Sequence, residues 1–533
     1  VCEENYSNVT IPSKREDRIF KNPIIWTDIP DPDVIRVNDV YYMTSTTMYY
    51  NPGVPIMKSY DLLNWEIVNY VYDILADDEE QTLSSGKNEY GKGSWASCIR
   101  YHHDTFYVTF GSLATGKTYI YQTNDIENGP WTSSVLDEYY HDMSLLFDDD
   151  GHVYMVYGNH DIKVIELTAD ATAIKEGGLT KVIIPQASFV ASTKEEVGLP
   201  AEGAHIQKIN GMYYVFTITW PKNGNRTQLV HRSDKIDGEY EGRIAFNNRG
   251  IAQGGIIDTI NGEWYGMLFQ DSGALGRIPY LIPVTWENEW PIFGEQDTCL
   301  NRALSQDGRV NGKHYVVDSD EFDLTTSSSK DLPEGDDHKL LKLVWQWNHN
   351  PDHSLWSLTE RPGFLRLTTG NTCKNIEEAR NTLTQRTLGP ECSAKVALEI
   401  NNMNDGDLAG FAAFQKDYGF VGVRKSGDAY FIVMVNNSSG DGKEIASIPL
   451  NQNRVYFKIY LDYRNQVDKA YFYYSFDGEK WDSIGNTLQM KYKLDHFVGY
   501  RFALFNYATK IPGGFVDFDY YRLDESFYLT TSS

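Results

Sequence analysis

A fivefold repeat limits what this chain can fold into more than any other feature. A short turn, an aromatic pair (Val-Tyr in the third copy) and a β-rich run recur as Asn38-Asp39-Val40-Tyr41-Tyr42, His103-Asp104-Thr105-Phe106-Tyr107, Asp150-Gly151-His152-Val153-Tyr154, Asn210-Gly211-Met212-Tyr213-Tyr214 and Asn261-Gly262-Glu263-Trp264-Tyr265. The second aromatics are spaced by 65, 47, 60 and 51 residues, the length of a four-stranded unit. Several such units in series are the signature of a β-propeller, whose blades pack around an axis. Counting back eleven residues from Tyr42 and twelve from each later tyrosine lands on Asp31, Trp95, Asp142, Glu202 and Gln253. Three acids, an aromatic and an amide thus hold one equivalent place. Inner strands line the central channel, so these five side chains are expected to meet in one funnel.

A second punctuation follows the aromatic pairs. Ser59-Tyr60-Asp61 with Trp65, Thr123-Asn124-Asp125 with Trp131 and Ser233-Asp234 with Tyr240 read as side-chain-capped turns, each followed by an inter-blade aromatic. Composition shifts after the fifth repeat: the run from Thr325 to Asp337 is polar and turn-rich. Beyond it, segments such as Val455–Leu461 and Phe515–Tyr520 alternate with period two, as in a β-sandwich. A chain of 533 residues is too long for one core. The expected division is an N-terminal extension over residues 1–21, a five-bladed propeller over 22–315 and a sandwich over 316–533. Trp345, Trp347 and Trp356 are read as sandwich core.

A net charge of −26 argues against nucleic acid and anionic membranes and favours a neutral ligand. No run of 18 or more apolar residues occurs, so no helical membrane span is expected. Five cysteines (Cys2, Cys98, Cys299, Cys373, Cys392) lack metal-type spacing. Cys373 and Cys392 are readable either as a pair or as free thiols. The first residue is Val1 and the second Cys2, consistent with an exported protein (periplasmic, cell-surface or secreted) that has lost a leader, with Cys2 a candidate lipid anchor.

A funnel with several carboxylates and nearby aromatics points to glycosidic bond cleavage, which needs one protonated and one ionised carboxyl group. The residues also resemble a known family. Asn22-Pro23-Ile24-Ile25, Pro30-Asp31-Pro32-Asp33, Trp95-Ala96-Ser97, His141-Asp142-Met143-Ser144 and Ala201-Glu202-Gly203-Ala204-His205 resemble glycoside hydrolase family 43 across the whole first half. Trp345–Pro351 and Trp356–Gly363 look like the concanavalin-like sandwich of its xylosidase and arabinofuranosidase branch. The resemblance implies Asp31 as the general base, Glu202 as the general acid and Asp142 as the residue that orients and tunes that acid. It also implies inversion of configuration, with the base and acid far enough apart to admit water. The expected activity is an exo-acting α-L-arabinofuranosidase on hemicellulose side chains or oligosaccharides of plant origin. The alternative is a β-D-xylosidase, or both activities in one pocket.

Further assignments follow from the same resemblance. Arg277 approaches the catalytic carboxylates, where it would hold Asp142 or Asp31 ionised; an inter-blade ion pair is the other reading. Trp95 is a pocket wall or core packing, and His205 either supports the acid or fills the blade. Tyr49 and Tyr50, ahead of Asn51-Pro52-Gly53, are expected at the entrance. Gln253 stands where relatives often carry a channel histidine that helps hold a central ion or water cluster. No cofactor is required by this reading, and a structural Ca²⁺ is less secure with Gln253 there. Met143 replaces the proline that often follows the tuning acid. A retaining fructosidase would show Arg-Asp-Pro where this chain has His141-Asp142-Met143. A non-catalytic lectin would have no need of three acids in register.

Overall fold

Tight turns with left-handed residues account for the repeats. Asn38 (φ 56°), the pair His103 and Asp104 (48° and 58°) and Asn210 with Gly211 (50° and 81°) reverse the chain between the first two strands of their blades. Asn, Asp and Gly tolerate that conformation, and it matches the twist of a hairpin. The computed structural model describes residues 22–295, 316–324 and 337–524. The expected extension with Cys2, Cys299 and nearly all of the polar linker lie outside the described residues.

Five antiparallel four-stranded sheets form the propeller. Their innermost strands are Asp33–Val37, Ser94–His102, Ser144–Phe147, Val197–Ile209 and Ile256–Asp258. The paired aromatics lie on the second strands and are buried in the first four blades; Trp264 and Tyr265 of the fifth are partly buried. Asp61 and Asp125 accept backbone N–H bonds within their turns, as the second punctuation implied.

The ring is closed by polar contacts between its first and last blades. Asn22 donates to the Leu281 carbonyl and accepts from the Leu281 N–H, both at 2.8 Å, while Arg36 pairs with Asp258 at 2.8 Å. Arg100 of the second blade reaches Asp33 at 2.9 Å, the Leu145 carbonyl at 2.9 Å and the Ile206 carbonyl at 3.0 Å, so one guanidinium ties four blades together. Removing one partner of a buried pair of this kind costs about 3–5 kcal/mol, because the other charge is left uncompensated.

The C-terminal region is a sandwich of two eight-stranded sheets. Trp345, Trp347 and Trp356 are in its core. Cys373 and Cys392 are free thiols. One edge strand comes from the propeller: Tyr50–Asn51 pairs with Trp347 and Asn348. This corrects the placement of Tyr49 and Tyr50 at the entrance. Both are fully buried, and the Arg501 guanidinium covers the Tyr50 ring at 3.9 Å. The turn that looked like an exposed loop is taken up by strand pairing with a segment some 300 residues away.

Candidate active site

Asp31, Asp142 and Gln253 each immediately precede or lie close before an inner strand, with φ of 51°, 47° and 68°. Glu202 lies within its strand, and the turn is supplied by Gly203 at φ 70°. A side chain at Gly203 would be strained, and its Cβ would sit 3.1 Å from the Gln253 side chain, so this glycine admits a neighbouring blade. The shared left-handed step turns register residues from different blades toward one place.

Asp31 is buried, and its Oδ1 accepts from Gln253 Nε2 at 2.8 Å and from Arg277 Nη1 at 3.0 Å. Burial pushes the Asp31 carboxyl above its ordinary range; Arg277 opposes this, and Asp142 adds to it. Gln253 is itself fixed, its N–H donating to Gln228 Oε1 at 2.8 Å. Arg277 therefore serves Asp31 rather than Asp142. Its Nε and Nη2 have no protein partner although buried, and the same holds for Trp95 Nε1 and the Tyr492 hydroxyl. Buried donors of this kind ordinarily find an acceptor.

Asp142 accepts the Gly203 N–H at 2.9 Å, which couples it to the backbone beside Glu202. His141, which the sequence reading did not select, lies between the two acids. Its Nε2 is 2.8 Å from Glu202 Oε2 and 3.4 Å from Asp142 Oδ2, and its Nδ1 is 3.1 Å from the Tyr139 hydroxyl. Burial lowers the imidazole's affinity for a proton, but the neighbouring carboxylates outweigh it and raise the pKa to about 9. Burial likewise lifts the Asp142 carboxyl, with His141 opposing. These three residues offer one donor atom each within 4.8 Å of one another. Glu202 is bonded to the histidine, and Asp142 lies 3.4 Å from the same ring nitrogen, so the imidazole faces both carboxyl groups. His205 is buried, with Nδ1 2.8 Å from the Gly203 carbonyl and Nε2 3.6 Å from Asp33. It supports the backbone beside the acid, the first of the two readings, and being buried it is not a sugar-contacting side chain.

Asp33 accepts from Arg100 and from the Ile99 N–H at 2.8 Å, and Arg100 brings a fixed positive charge.

Both domains build the wall. Trp220, Arg226, Phe269, Arg277 and Phe497 stack in sequence, with guanidinium-to-ring distances of 5.0, 4.8, 5.2 and 4.9 Å. Phe497 then stacks on Trp95 at 5.2 Å, and Trp95 lies 6.3 Å from the His141 ring. Trp95 is partly exposed, so it is a wall that also packs. Asp28 anchors the junction: its carboxylate accepts from the Arg277 N–H at 2.7 Å and the Gly499 N–H at 2.9 Å. A Cβ at Gly499 would fall 2.1 Å from the Leu275 carbonyl oxygen, so only glycine lets the sandwich loop approach this closely. Neither Asp28 nor Phe497 carried a signal in the sequence. His141 did, as the immediate neighbour of a register acid.

Residues 20–291 match the model for glycosyl hydrolases family 43, and residues 336–524 match the beta xylosidase C-terminal concanavalin A-like domain. The chain belongs to glycoside hydrolase family 43. A solved structure described as a bifunctional GH43-CE protein of Bacteroides eggerthii superposes with a TM-score of 0.90 at 49% identity, covering 96% of this chain. This chain spans 64% of that one. A beta-xylosidase of Formosa agariphila is 29% identical, with 95% of this chain and 90% of the relative covered. A non-reducing end alpha-L-arabinofuranosidase of Bacteroides ovatus is also 29% identical, over 68% of this chain and 66% of the relative.

Proposed function

We propose that this family 43 protein is an exo-acting, inverting pentosidase that releases terminal α-L-arabinofuranosyl or β-D-xylosyl residues from hemicellulose side chains or oligosaccharides. The observation that carries this is the division of the three acids. Asp31 is paired with a fixed cation and an amide, while Glu202 and Asp142 share a histidine, and Asp31 stands outside their tight cluster. This unequal partnering fits different jobs for Asp31 and Glu202, as single displacement requires. Water approaches the anomeric carbon from the Asp31 side and loses its proton to that carboxylate, while Glu202 protonates the departing oxygen. Asp142, bonded to the Gly203 N–H, orients the acid. Arg277, bonded to Asp31, and the partly exposed Trp95 each keep a donor without a partner among the described residues, which fits a hydroxyl-rich ligand.

The two sugars present similar hydroxyl arrangements to one pocket. The segments over 250–255 and 269–277 resemble those of an arabinofuranosidase branch of the family, and the name of the Bacteroides ovatus relative points the same way. The name of the Formosa relative favours the xyloside. Hydrolysis of aryl α-L-arabinofuranoside and aryl β-D-xyloside ranks the two, and NMR of the first-formed sugar tests the mechanism. Inverted product is expected; initial retention sinks the single-displacement reading.

A further inference from the structure

We propose that His141 is a positioning residue that fixes which oxygen of Glu202 carries the acid proton. This rests on the reading of Glu202 as the general acid. The two Glu202 oxygens are not equivalent: Oε2 lies 2.8 Å from His141 Nε2, whereas no protein group among the described residues engages Oε1. A carboxylic acid holds its proton on one oxygen and accepts at the other. With a proton on Nε2 the imidazole donates to Oε2, so the acid proton resides on Oε1, on the open side of the carboxyl group.

The groups around His141 favour that donor state. Asp142 Oδ2 stands 3.4 Å from the same nitrogen, Asp31 adds negative charge, and the Tyr139 hydroxyl is 3.1 Å from Nδ1. The Trp95 ring lies tilted beside the imidazole, the ring centroids 6.3 Å apart. The neutral tautomer with its proton on Nε2 suffices, because Nδ1 can then accept from the Tyr139 hydroxyl and no charge need sit beside the protonated Glu202. The ring is also held in place: its side chain is 23% exposed and has partners at both nitrogens.

In the reaction the Oε1–H bond breaks as the leaving oxygen takes the proton, and the electrons of the glycosidic C–O bond go to that oxygen. Water adds to the anomeric carbon and gives its proton to Asp31. Glu202 is left as a carboxylate, stabilised by the Nε2–H bond. Solvent then removes the proton from Asp31 and returns one to Glu202. His141 keeps its own protons throughout.

The test compares two substrates with the same terminal pentose, one with a dinitrophenyl leaving group and one with a sugar leaving group. The first departs without protonation; the second needs it. Misplacing a catalytic group by about 1 Å costs on the order of 10²-fold. His141→Ala is therefore expected to lower kcat on the sugar-leaving substrate by about 10² while changing the dinitrophenyl substrate less than about threefold. His141→Gln, which returns an N–H donor, is expected to recover about tenfold of that loss. If His141→Ala does not fold, His141→Gln alone must show the same split between the two substrates. An equal loss on both substrates, or no loss on either, overturns the proposal. Glu202→Gln is the separate control. A split with Glu202→Gln but not with the His141 variants rejects only His141's role; an equal loss with Glu202→Gln rejects the acid assignment itself.

Discussion

Asp31 and Glu202 occupy equivalent places in their repeats, yet their surroundings differ. Asp31 is buried and meets a permanent cation and an amide, both held by further contacts. Glu202 is half-buried, with one oxygen bonded to a titratable ring and the other unengaged. A carboxylate that must stay ionised in a dry site needs fixed positive charge. A carboxyl that must give up and regain a proton needs an open oxygen and a partner that adjusts to both states. The unequal jobs therefore come from what adjacent blades bring to each acid, since the side chains themselves are nearly alike.

The severest way to break this contrast is to neutralise the base. Asp31→Asn should lower kcat by about 10²- to 10⁴-fold whatever leaves, because water must be activated in every case. A dinitrophenyl pentoside hydrolysed at near wild-type rate by this variant would show that the two acids were assigned the wrong way round.

Next in size is loss of the cation. Arg277→Met removes the main group that opposes the upward push of burial on Asp31. The base would then hold its proton to higher pH, so the acidic limb of the kcat/KM profile should move upward by about 1 to 3 pH units. An unmoved limb would detach Arg277 from the base. Gln253→Ala deletes a bond to the same carboxylate at 2.8 Å. A hydrogen bond to a charged group contributes about 1.5–3 kcal/mol, so kcat/KM should fall roughly 10- to 100-fold, with the limb shifted less than in Arg277→Met.

Much of this site could be read from sequence because it is periodic. The register of Asp31, Trp95, Asp142, Glu202 and Gln253 follows from blades of similar length, and the same left-handed step orients three of the five. His141 was passed over because the register selects one residue per blade. The φ of 47° at Asp142 accompanies a reversal that brings its neighbour against Glu202, which spacing along the chain does not express. Tyr50 was misplaced for a related reason: an Asn-Pro-Gly turn signals a reversal but not the strand of Trp347 and Asn348 that covers it. Phe497 lies 220 residues beyond Arg277, and no local pattern marks an aromatic that crosses from one domain to the other. Asp28 is similar, a single acid whose two backbone partners come from different domains.

The smallest expected effect concerns the one wall residue that touches both sides of the contrast. Phe497 stacks on Trp95, beside His141, and lies under the Arg277 guanidinium, beside Asp31. Trimming it to alanine removes ring area and a cation–π contact of about 0.5–2 kcal/mol, while both carboxylates keep their hydrogen bonds. Such a loss falls on ground state and transition state alike, so KM should rise by roughly 2- to 30-fold with kcat nearly unchanged. Steady-state kinetics on the better aryl pentoside reads this directly. A fall in kcat comparable to that of Arg277→Met would mean that the sandwich holds the guanidinium against Asp31. The base side would then depend on both domains.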